Sequence, residues 1–449
     1  MSDTIVRGGT VVTATGTERL DIAIEDGVVA GLAPELPGAG AASELDVTDL
    51  LVLPGVVDAH VHMNEPGRTA WEGFASGTRA MAVGGTTTGI DMPLNSTPPT
   101  ADARAFAAKA AAARGQLHVD VALWGALLPG KIDQLDELAD CGVVGFKAFM
   151  SASGVDDFEA ADDLTLLEGM RAAARLGLPV AVHAENRAIT DGLTARARAA
   201  GRRGIASYLA SRPPIAEVLA IRTALTLAAD TGCSLHVVHV STGRALSEIA
   251  EARMAGVDVT CETCPHYLCL DEEDAERLGA IAKCAPPLRS RSDRDDLWRE
   301  LLAGHLDTIG SDHSPCSPAL KDASDAFDVW GGIAGAQLLL ALIWDTGVVR
   351  RDLDLARLTS LLSEAPAQRV GLGHRKGRIE VGADADLVIV DPGGSWTVGR
   401  EDLHDRHRSN PFLGMVLRGR VARTILRGQT IALDGQPVGD PHGELLVRA

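Results

Sequence analysis

The sequence predicts an α/β protein, a (β/α)8 TIM barrel with a small β-sandwich domain formed from both chain termini. Two observations support this fold class. Between residues 51 and 375, eight short apolar runs alternate with stretches of helical periodicity. Before and after that region, short runs typical of strands are separated by turn residues. We therefore assign residues 1–53 and 376–449 to the sandwich domain and residues 54–375 to the barrel.

Both ends of the chain are predicted to be β-structure. Near the N-terminus, the runs 5–12 and 21–29 contain Asp26 and Gly27, a dipeptide typical of a tight hairpin turn. The same pattern of short strand-like runs returns near the C-terminus, over residues 377–391, 414–417, 421–426 and 430–433. We expect the two ends to pair in one small domain beside the barrel.

The predicted barrel strands are apolar until their last residues, as expected of parallel strands buried on both faces. They are residues 51–62, 86–93, 118–126, 143–150, 179–185, 234–241, 257–267 and 307–314. Helical stretches between them include residues 101–114, 164–176, 215–231 and 243–255. A doubly wound sheet is the competing fold. It normally has a Gly-rich phosphate loop after its first strand, and residues 66–68 (Pro-Gly-Arg) do not match that motif.

Composition and charge limit the partners and the compartment. The chain carries 61 acidic and 42 basic residues, and its net charge of −19 argues against nucleic acid or an anionic membrane as a partner. The N-terminus lacks the features of a signal peptide, and the longest apolar stretch, 333–344, is too short to span a bilayer. Seven cysteines, an odd number, indicate reduced thiols and a cytoplasmic location. The C-x-x-C spacing of Cys261 and Cys264 is only a weak indication of a redox or zinc motif, because no second pair exists.

Side chains able to bind metal ions stand at the ends of five predicted strands. They are His60 and His62 on strand 1, Lys147 on strand 4, His183 on strand 5, His239 on strand 6 and Asp312 on strand 8. In barrel enzymes the C-terminal ends of the strands form the active site. Each residue alone could be a satisfied core histidine, a snorkelling lysine or a turn aspartate. Their coincidence at one end of the barrel favours a shared site.

The residue types indicate two divalent metal ions. His60 and His62 are two residues apart, so on a strand they point the same way. His236 and His239 differ in parity, so only one of them can enter the mouth of the barrel. The ammonium of Lys147 would be repelled by metal ions, but carbamylation by CO₂ would turn it into a bridging carboxylate. Four imidazoles, one carboxylate and a carbamylated lysine suit a pair of divalent ions.

In this order, the residues resemble the cyclic-amidohydrolase branch of the amidohydrolase superfamily, which includes hydantoinase/dihydropyrimidinase, dihydroorotase and allantoinase. The resemblance covers nearly the whole chain, and within the branch it is greatest to the allantoinases. The motifs that carry it are residues 60–74, 84–88, 91–96, 261–268 and 284–289. Dihydroorotases have an arginine where Asn64 stands, and hydantoinases typically have a tyrosine shortly after the strand-4 lysine, where residues 149–154 contain none.

The resemblance implies roles for individual residues. The implied metal ligands are His60, His62, Lys147 as a bridging N6-carboxylysine, His183, His239 and Asp312, with two divalent ions per subunit and zinc as the usual metal. The implied substrate contacts are Asn95, Ser153, Cys284 and Ser314. The resemblance also implies a homo-oligomer, commonly a tetramer.

The implied reaction is the zinc-dependent hydrolysis of the small cyclic ureide allantoin to allantoate. A hydroxide between the two metal ions would attack the ring carbonyl, and Asp312 would act first as general base and then as general acid. The alternative within the branch is a hydantoinase/dihydropyrimidinase-type cyclic amidase. A non-catalytic scaffold that keeps this fold would show substitutions among the six ligand positions, and the sequence has none.

Overall fold

The computed structural model describes residues 3–13, 16–37 and 41–448. Its strands in chain order are β1 Thr4–Thr13, β2 Gly16–Glu25, β3 Val28–Ala33, β4 Ser43–Asp46, β5 Leu51–Pro54, β6 Val56–Val61, β7 Thr86–Asp91, β8 Asp120–Leu123, β9 Gly125–Ala126, β10 Phe146–Phe149, β11 Val180–His183, β12 Leu235–Val237, β13 Val259–Thr263, β14 Thr308–Ile309, β15 Leu387–Thr397, β16 Val416–Leu426, β17 Gln429–Leu433 and β18 Gln436–Pro437.

The α-helices lie mostly between the barrel strands. They are α1 Phe74–Val83, α2 Ala103–Ala113, α3 Leu135–Asp140, α4 Asp163–Leu176, α5 Arg187–Ala199, α6 Ile205–Ala210, α7 Pro214–Thr231, α8 Gly243–Met254, α9 Pro265–Cys269, α10 Glu272–Leu278, α11 Arg291–Leu302, α12 Leu339–Ile343, α13 Leu355–Thr359 and α14 Ala365–Arg369. Within the described ranges, none of them is both long enough and apolar enough to cross a bilayer.

Parallel strands close into a barrel, which confirms the predicted fold class. One sheet has the order β14-β13-β12-β11-β10-β9 and another the order β6-β7-β8. The predicted strand 118–126 passes from one to the other, because β8 and β9 are separated only by Trp124. On the opposite side, a parallel bridge joins Val61 to His313, and the His62 amide donates to His313 O at 2.8 Å. These contacts join strand 1 to strand 8 and complete the ring.

Strands from both ends of the chain share one sheet, as predicted. Its order is β18-β17-β16-β15-β5-β1-β2-β3, with β4 paired to β1. Apolar side chains from both ends form a common core cluster, including Val11, Ile24, Leu387 and Ile425. The sequence boundaries of the two domains, at 53/54 and 375/376, stay a prediction.

Several predicted element boundaries are wrong, and four of them have a clear structural reason. The predicted strand 51–62 is two strands, since Gly55 separates β5 from β6 and a side chain there would clash with Thr87 at 2.2 Å. The predicted strand 257–267 ends at Thr263, because Pro265 begins α9 in the position that suits proline. The predicted strand 377–391 begins only at residue 387. Residues 414–417 and 421–426 were predicted as separate strands, but residues 416–426 form the single strand β16. This strand continues through Gly419, which adopts a left-handed φ of 79°.

A buried ionic cluster ties the barrel to the terminal sheet. Lys376 Nζ lies 2.5 Å from Asp120 Oδ2 on β8 and 2.8 Å from both Asp384 and Asp386. Arg427 of the loop after β16 also contacts Asp120. The three carboxylates lie close enough to hold a cation, but Lys376, Arg427 and Arg375, which pairs with Asp384 at 2.8 Å, already neutralise them. The cluster is therefore a structural joint between the two parts of the chain.

Candidate metal centre

The six predicted ligands lie at or just beyond the C-terminal ends of barrel strands. His60 and His183 are strand residues of β6 and β11, Lys147 is in β10, and His62, His239 and Asp312 follow β6, β12 and β14. Because the strands are parallel, their C-terminal ends open on the same side of the barrel. All six residues have buried backbones and side chains, apart from a partly exposed Asp312.

His60, His62 and Asp312 form the first half-site of the centre. Asp312 Oδ1 lies 3.3 Å from His60 Nε2 and 3.2 Å from His62 Nε2. One donor atom from each residue lies within 4.8 Å of the others. Two ligand atoms that share a zinc ion at about 2.0–2.1 Å with tetrahedral angles stand roughly 3.3 Å apart. The three side chains therefore have the spacing that a shared metal ion requires.

His183 and His239 form the second half-site. His183 Nδ1 lies 3.0 Å from His239 Nε2. The ring centroids of His60 and His239 are 5.4 Å apart, so the two half-sites are adjacent. The His183 ring is also stacked on Phe149, with centroids 4.4 Å apart, which fixes its plane. The residues present therefore fit two neighbouring metal ions.

Carboxylates hold the outer ring nitrogens of one histidine in each half-site. Glu262 Oε1 lies 2.8 Å from His60 Nδ1, and Glu185 Oε2 lies 2.8 Å from His183 Nε2. Such an outer partner fixes the tautomer, so that the inner nitrogen presents its lone pair to a metal ion. Neither carboxylate was predicted from the sequence. The available signal was strand parity for Glu185, which follows His183 by two residues.

The first half-site has a negative electrostatic environment. Burial raises the pKa of Asp312, but His60 and His62 outweigh it and hold that pKa far below its usual range. Burial likewise opposes ionisation of Glu262, yet His60 and His236 lower its pKa to about 2. Burial lowers the pKa of His60, whereas Asp312 and Glu262 outweigh it and raise that pKa. Both carboxylates are thus ionised at neutral pH and attract cations.

Lys147 is buried and close enough to interact electrostatically with His60 and with His183, one histidine from each half-site, and it has no carboxylate partner within ion-pair distance among the described residues. Its Nζ atom lies 3.8 Å from the centroid of the Phe149 ring and donates to Ala148 O at 3.2 Å. Burial lowers the pKa of Lys147 from 10.5 to about 7. A substantial fraction of its amine is therefore neutral near pH 7, and only a neutral amine can add to CO₂.

Two of the ligands have strained backbones. The φ angles of His239 and Asp312 are +42° and +44°, in the left-handed region that non-glycine residues seldom adopt. Hydrogen bonds hold the turn at Asp312 in place: the Ser311 amide donates to Asp58 Oδ1 at 2.9 Å, and the His313 amide donates to Ser311 Oγ at 3.1 Å. This turn directs the Asp312 side chain away from the strand and toward His60 and His62.

The four predicted substrate contacts lie around the mouth of the barrel. Asn95 is buried with φ +68°, and its Oδ1 atom has no hydrogen-bond partner among the described residues. Ser153 Oγ donates to Phe158 O at 2.7 Å, so its hydroxyl braces its own loop. Cys284 accepts from the Tyr208 hydroxyl through its carbonyl at 2.8 Å, and Ser314 O accepts from Trp330 Nε1 at 3.2 Å. Their roles stay predictions.

A cavity of about 570 Å³ opens beside Ser153. It is lined by Ser153, by Trp71 and Trp330, and by the basic residues Arg68, Arg212 and Lys283, among others. Trp71 and Trp330 contact each other edge to face, with centroids 4.7 Å apart. Ser153 lines the cavity itself, whereas Asn95, Cys284 and Ser314 are buried and are not among the lining residues. The cavity has the size of a small-molecule pocket.

Known proteins resemble this chain over its whole length. Residues 51–431 match the amidohydrolase family. An allantoinase of Rubrobacter xylanophilus is 57% identical over 444 residues, covering 99% of this chain and 97% of the relative. An allantoinase of Escherichia coli is 42% identical over 452 residues, covering 99% of each.

Solved structures agree with the sequence relatives. The L-hydantoinase (dihydropyrimidinase) of Arthrobacter aurescens superimposes with a TM-score of 0.97 at 36% identity, covering 100% of both chains. The dihydropyrimidinase of Brevibacillus agri has a TM-score of 0.93 at 33% identity, covering 99% of this chain and 98% of its own. The resemblance to cyclic amidohydrolases is confirmed, and the chain belongs to the amidohydrolase family.

Proposed function

We propose that this protein is an allantoinase, which hydrolyses the cyclic amide bond of allantoin to give allantoate. The observation that carries the proposal is the pair of adjacent ligand clusters at the C-terminal ends of the barrel strands, His60, His62 and Asp312 beside His183 and His239, with the buried Lys147 on a neighbouring strand. Named relatives at 42–57% identity over nearly the whole chain support the substrate. A hydantoinase-type activity is the alternative, and the solved structures with that name are only 33–36% identical.

His60, His62 and Asp312 would hold one divalent ion, and His183 and His239 the other, with zinc as the proposed metal. Lys147 would bridge the two ions after its neutral amine adds to CO₂, forming a carbamate and releasing one proton. Its complete burial and lowered pKa support this step. When bound, the ions supply Lewis acidity and lower the pKa of water toward about 7.

Asp312 is the proposed general base and general acid. Its side chain is 13% exposed, whereas those of His60 and His62 are 2% and 5% exposed, so Asp312 is the ligand of this half-site that a substrate would meet first. Its lowered pKa keeps it ionised in the resting protein, ready to accept a proton from the attacking water. It would then deliver that proton to the departing ring nitrogen, which would otherwise leave as a poor anionic leaving group.

The loops of the mouth would bind the ring and exclude other substrates. The buried Asn95 Oδ1, which has no hydrogen-bond partner in the described part of the chain, would suit a ring N–H donor. Ser153, Cys284 and Ser314 would contact the substrate through their loops. A homotetramer and a cytoplasmic location remain proposals that rest on family resemblance and composition. The free state of the seven cysteines is compatible with a reducing compartment.

Substrate comparison tests the proposed function. Purified enzyme supplied with zinc would be assayed for kcat/KM on racemic allantoin, hydantoin, dihydrouracil and dihydroorotate. We expect allantoin to be the preferred substrate, with allantoate as product. A higher kcat/KM for hydantoin or dihydrouracil would contradict the substrate and support the alternative. Absence of turnover on all four, with metal bound, would contradict cyclic-amide hydrolysis itself.

A further inference from the structure

The two half-sites differ in the charge that surrounds them. The first half-site contains the Asp312 carboxylate, in contact with both of its histidines. It also has Glu262 behind His60. Glu262 is buried, and its ion-pair contacts among the described residues are with two histidines, His60 at 2.8 Å and His236 at 3.9 Å. Within the described ranges, the first half-site therefore carries two carboxylates with no arginine or lysine at ion-pair distance.

The second half-site has no such excess of negative charge. Neither His183 nor His239 lies within ion-pair distance of Asp312 among the described residues. The carboxylate behind His183 is Glu185, and the same Oε2 atom that contacts His183 accepts a hydrogen bond from Arg212. The buried Arg212–Glu185 pair is neutral as a unit. A metal ion at His183 and His239 would therefore gain less from its surroundings.

Arg212 is held firmly against Glu185. Its carbonyl accepts a hydrogen bond from Arg289, which also lies 3.1 Å from Glu217 at the start of α7. Glu217 in turn accepts from the Ser241 amide at 2.8 Å, two residues beyond His239. One network thus places Arg212 behind His183 and supports the loop that carries His239. Arg212 is a fixed part of the second half-site.

Outer partners change the metal affinity of a site by about 10–100-fold, because they set the basicity of the ligand and the local potential. We infer that Arg212, by neutralising Glu185, makes the second half-site the weaker and more exchangeable of the two. The first half-site then fills before the second. A carbamate on Lys147 would be shared by both half-sites, so it would not change the difference in charge between them. The inference rests on the proposed two-metal function.

Zinc titration of the metal-free protein tests the order of filling. Free zinc would be set by a chelator buffer, and zinc per chain would be measured by mass spectrometry of the metal. We expect two steps separated by at least about 10-fold in free zinc. Anomalous diffraction from crystals of the one-zinc protein should place that zinc at His60, His62 and Asp312. Zinc at His183 and His239, or simultaneous filling of both half-sites, would overturn the inference.

Matched variants assign the difference to specific side chains. Glu185→Gln should raise the free zinc needed for the second binding step by about 10–100-fold and leave the first step unchanged. Glu262→Gln should raise the free zinc needed for the first step by a similar factor and leave the second unchanged. Arg212→Gln keeps a donor for Glu185 but loses the charge, so it should move the second step to lower free zinc. Arg198→Gln, from the same cavity but paired with Asp328, should move neither step.

The outcomes separate the inference from the function on which it rests. If Glu185→Gln shifts both steps equally, or only the first, the assigned role of Glu185 and Arg212 is wrong. If a variant fails to fold, the titration of the wild-type protein still tests the order in which the half-sites fill. If both ions bind in a single step, the inferred order of filling is wrong, but the two-metal proposal survives. Fewer than two ions per chain at saturating zinc overturn both.

Discussion

Asp312 Oδ1 lies 3.2 Å from His62 Nε2, although 250 residues separate them along the chain. The contact joins the end of the first barrel strand to the loop after the last, directly beside the bridge that closes the ring. Formation of the first half-site therefore depends on closure of the barrel. The same aspartate is the proposed proton-transfer group, so one side chain depends on barrel closure, contributes to metal binding and takes part in the reaction.

Asp312→Asn should lower kcat by roughly 10²–10⁴-fold, because an amide cannot accept and return a proton. The amide oxygen remains a possible metal ligand, so zinc per chain should stay near the wild-type value. Steady-state kinetics on allantoin and metal analysis of the same samples check this. The exposed Asp133→Asn is the control and should change neither quantity. Unchanged turnover in Asp312→Asn would contradict the assigned role.

Lys147 should carry a carbamate in the metal-loaded protein. Protein reloaded with zinc in ¹³C-bicarbonate should show a carbamate carbon signal by NMR. Lys147→Met should lack that signal and should bind less zinc, because the bridging carboxylate is missing. A wild-type protein with two ions per chain and no carbamate signal would contradict the bridging role of Lys147.

Stability of the metal-free protein should depend on pH through Lys147. Its pKa is about 7 in the folded chain and 10.5 in the reference state, so between these values the unfolded chain binds more protons. Its cost to folding is therefore fully present below pH 7 and is relieved as pH rises toward 10.5.

Lys147→Met removes that cost at every pH. The variant should be more stable than wild type below pH 7, and the difference should shrink by about 1.4 kcal/mol per pH unit above it. Urea unfolding of both metal-free proteins across pH 6–10 measures this difference. A difference that stays constant with pH would contradict the burial effect on Lys147.

Lys376→Met should destabilise the fold without altering the metal centre. It leaves Asp120, Asp384 and Asp386 without their shared cation, which typically costs about 3–5 kcal/mol for a buried pair. Lys131→Met is the control, because Lys131 is 44% exposed and lies 3.5 Å from Asp102. The control should lose at most about 1 kcal/mol. An equal loss of unfolding free energy in the two variants would show that the buried ionic cluster contributes no more to stability than an exposed ion pair.

Much of the site could be predicted from sequence because its ligands stand at the ends of apolar strands. His60, His183 and Asp312 interrupt runs that are otherwise buried, and polar groups there need partners. Glu185 and Glu262 could not be assigned in the same way. Their role depends on which ring nitrogen they contact, and that is a matter of three-dimensional geometry.

Element boundaries were less predictable than element types. Residues 265–269 continue an apolar run, yet Pro265 starts a helix there because its missing N–H costs nothing at a helix N-terminus. Residues 377–386 have strand-like composition, but Gly382 adopts φ +94° and Lys376 draws Asp384 and Asp386 into the ionic cluster. Tertiary contacts override local pattern at both places.

Reconstitution of the metal-free enzyme tests the central claim most directly. Zinc would be removed by chelation, and hydrolysis of allantoin would be followed while zinc per chain is restored. We predict that activity is lost with the metal and returns as the second ion binds. Full allantoin hydrolysis by protein without bound metal, or two bound ions without allantoin hydrolysis, would contradict the account.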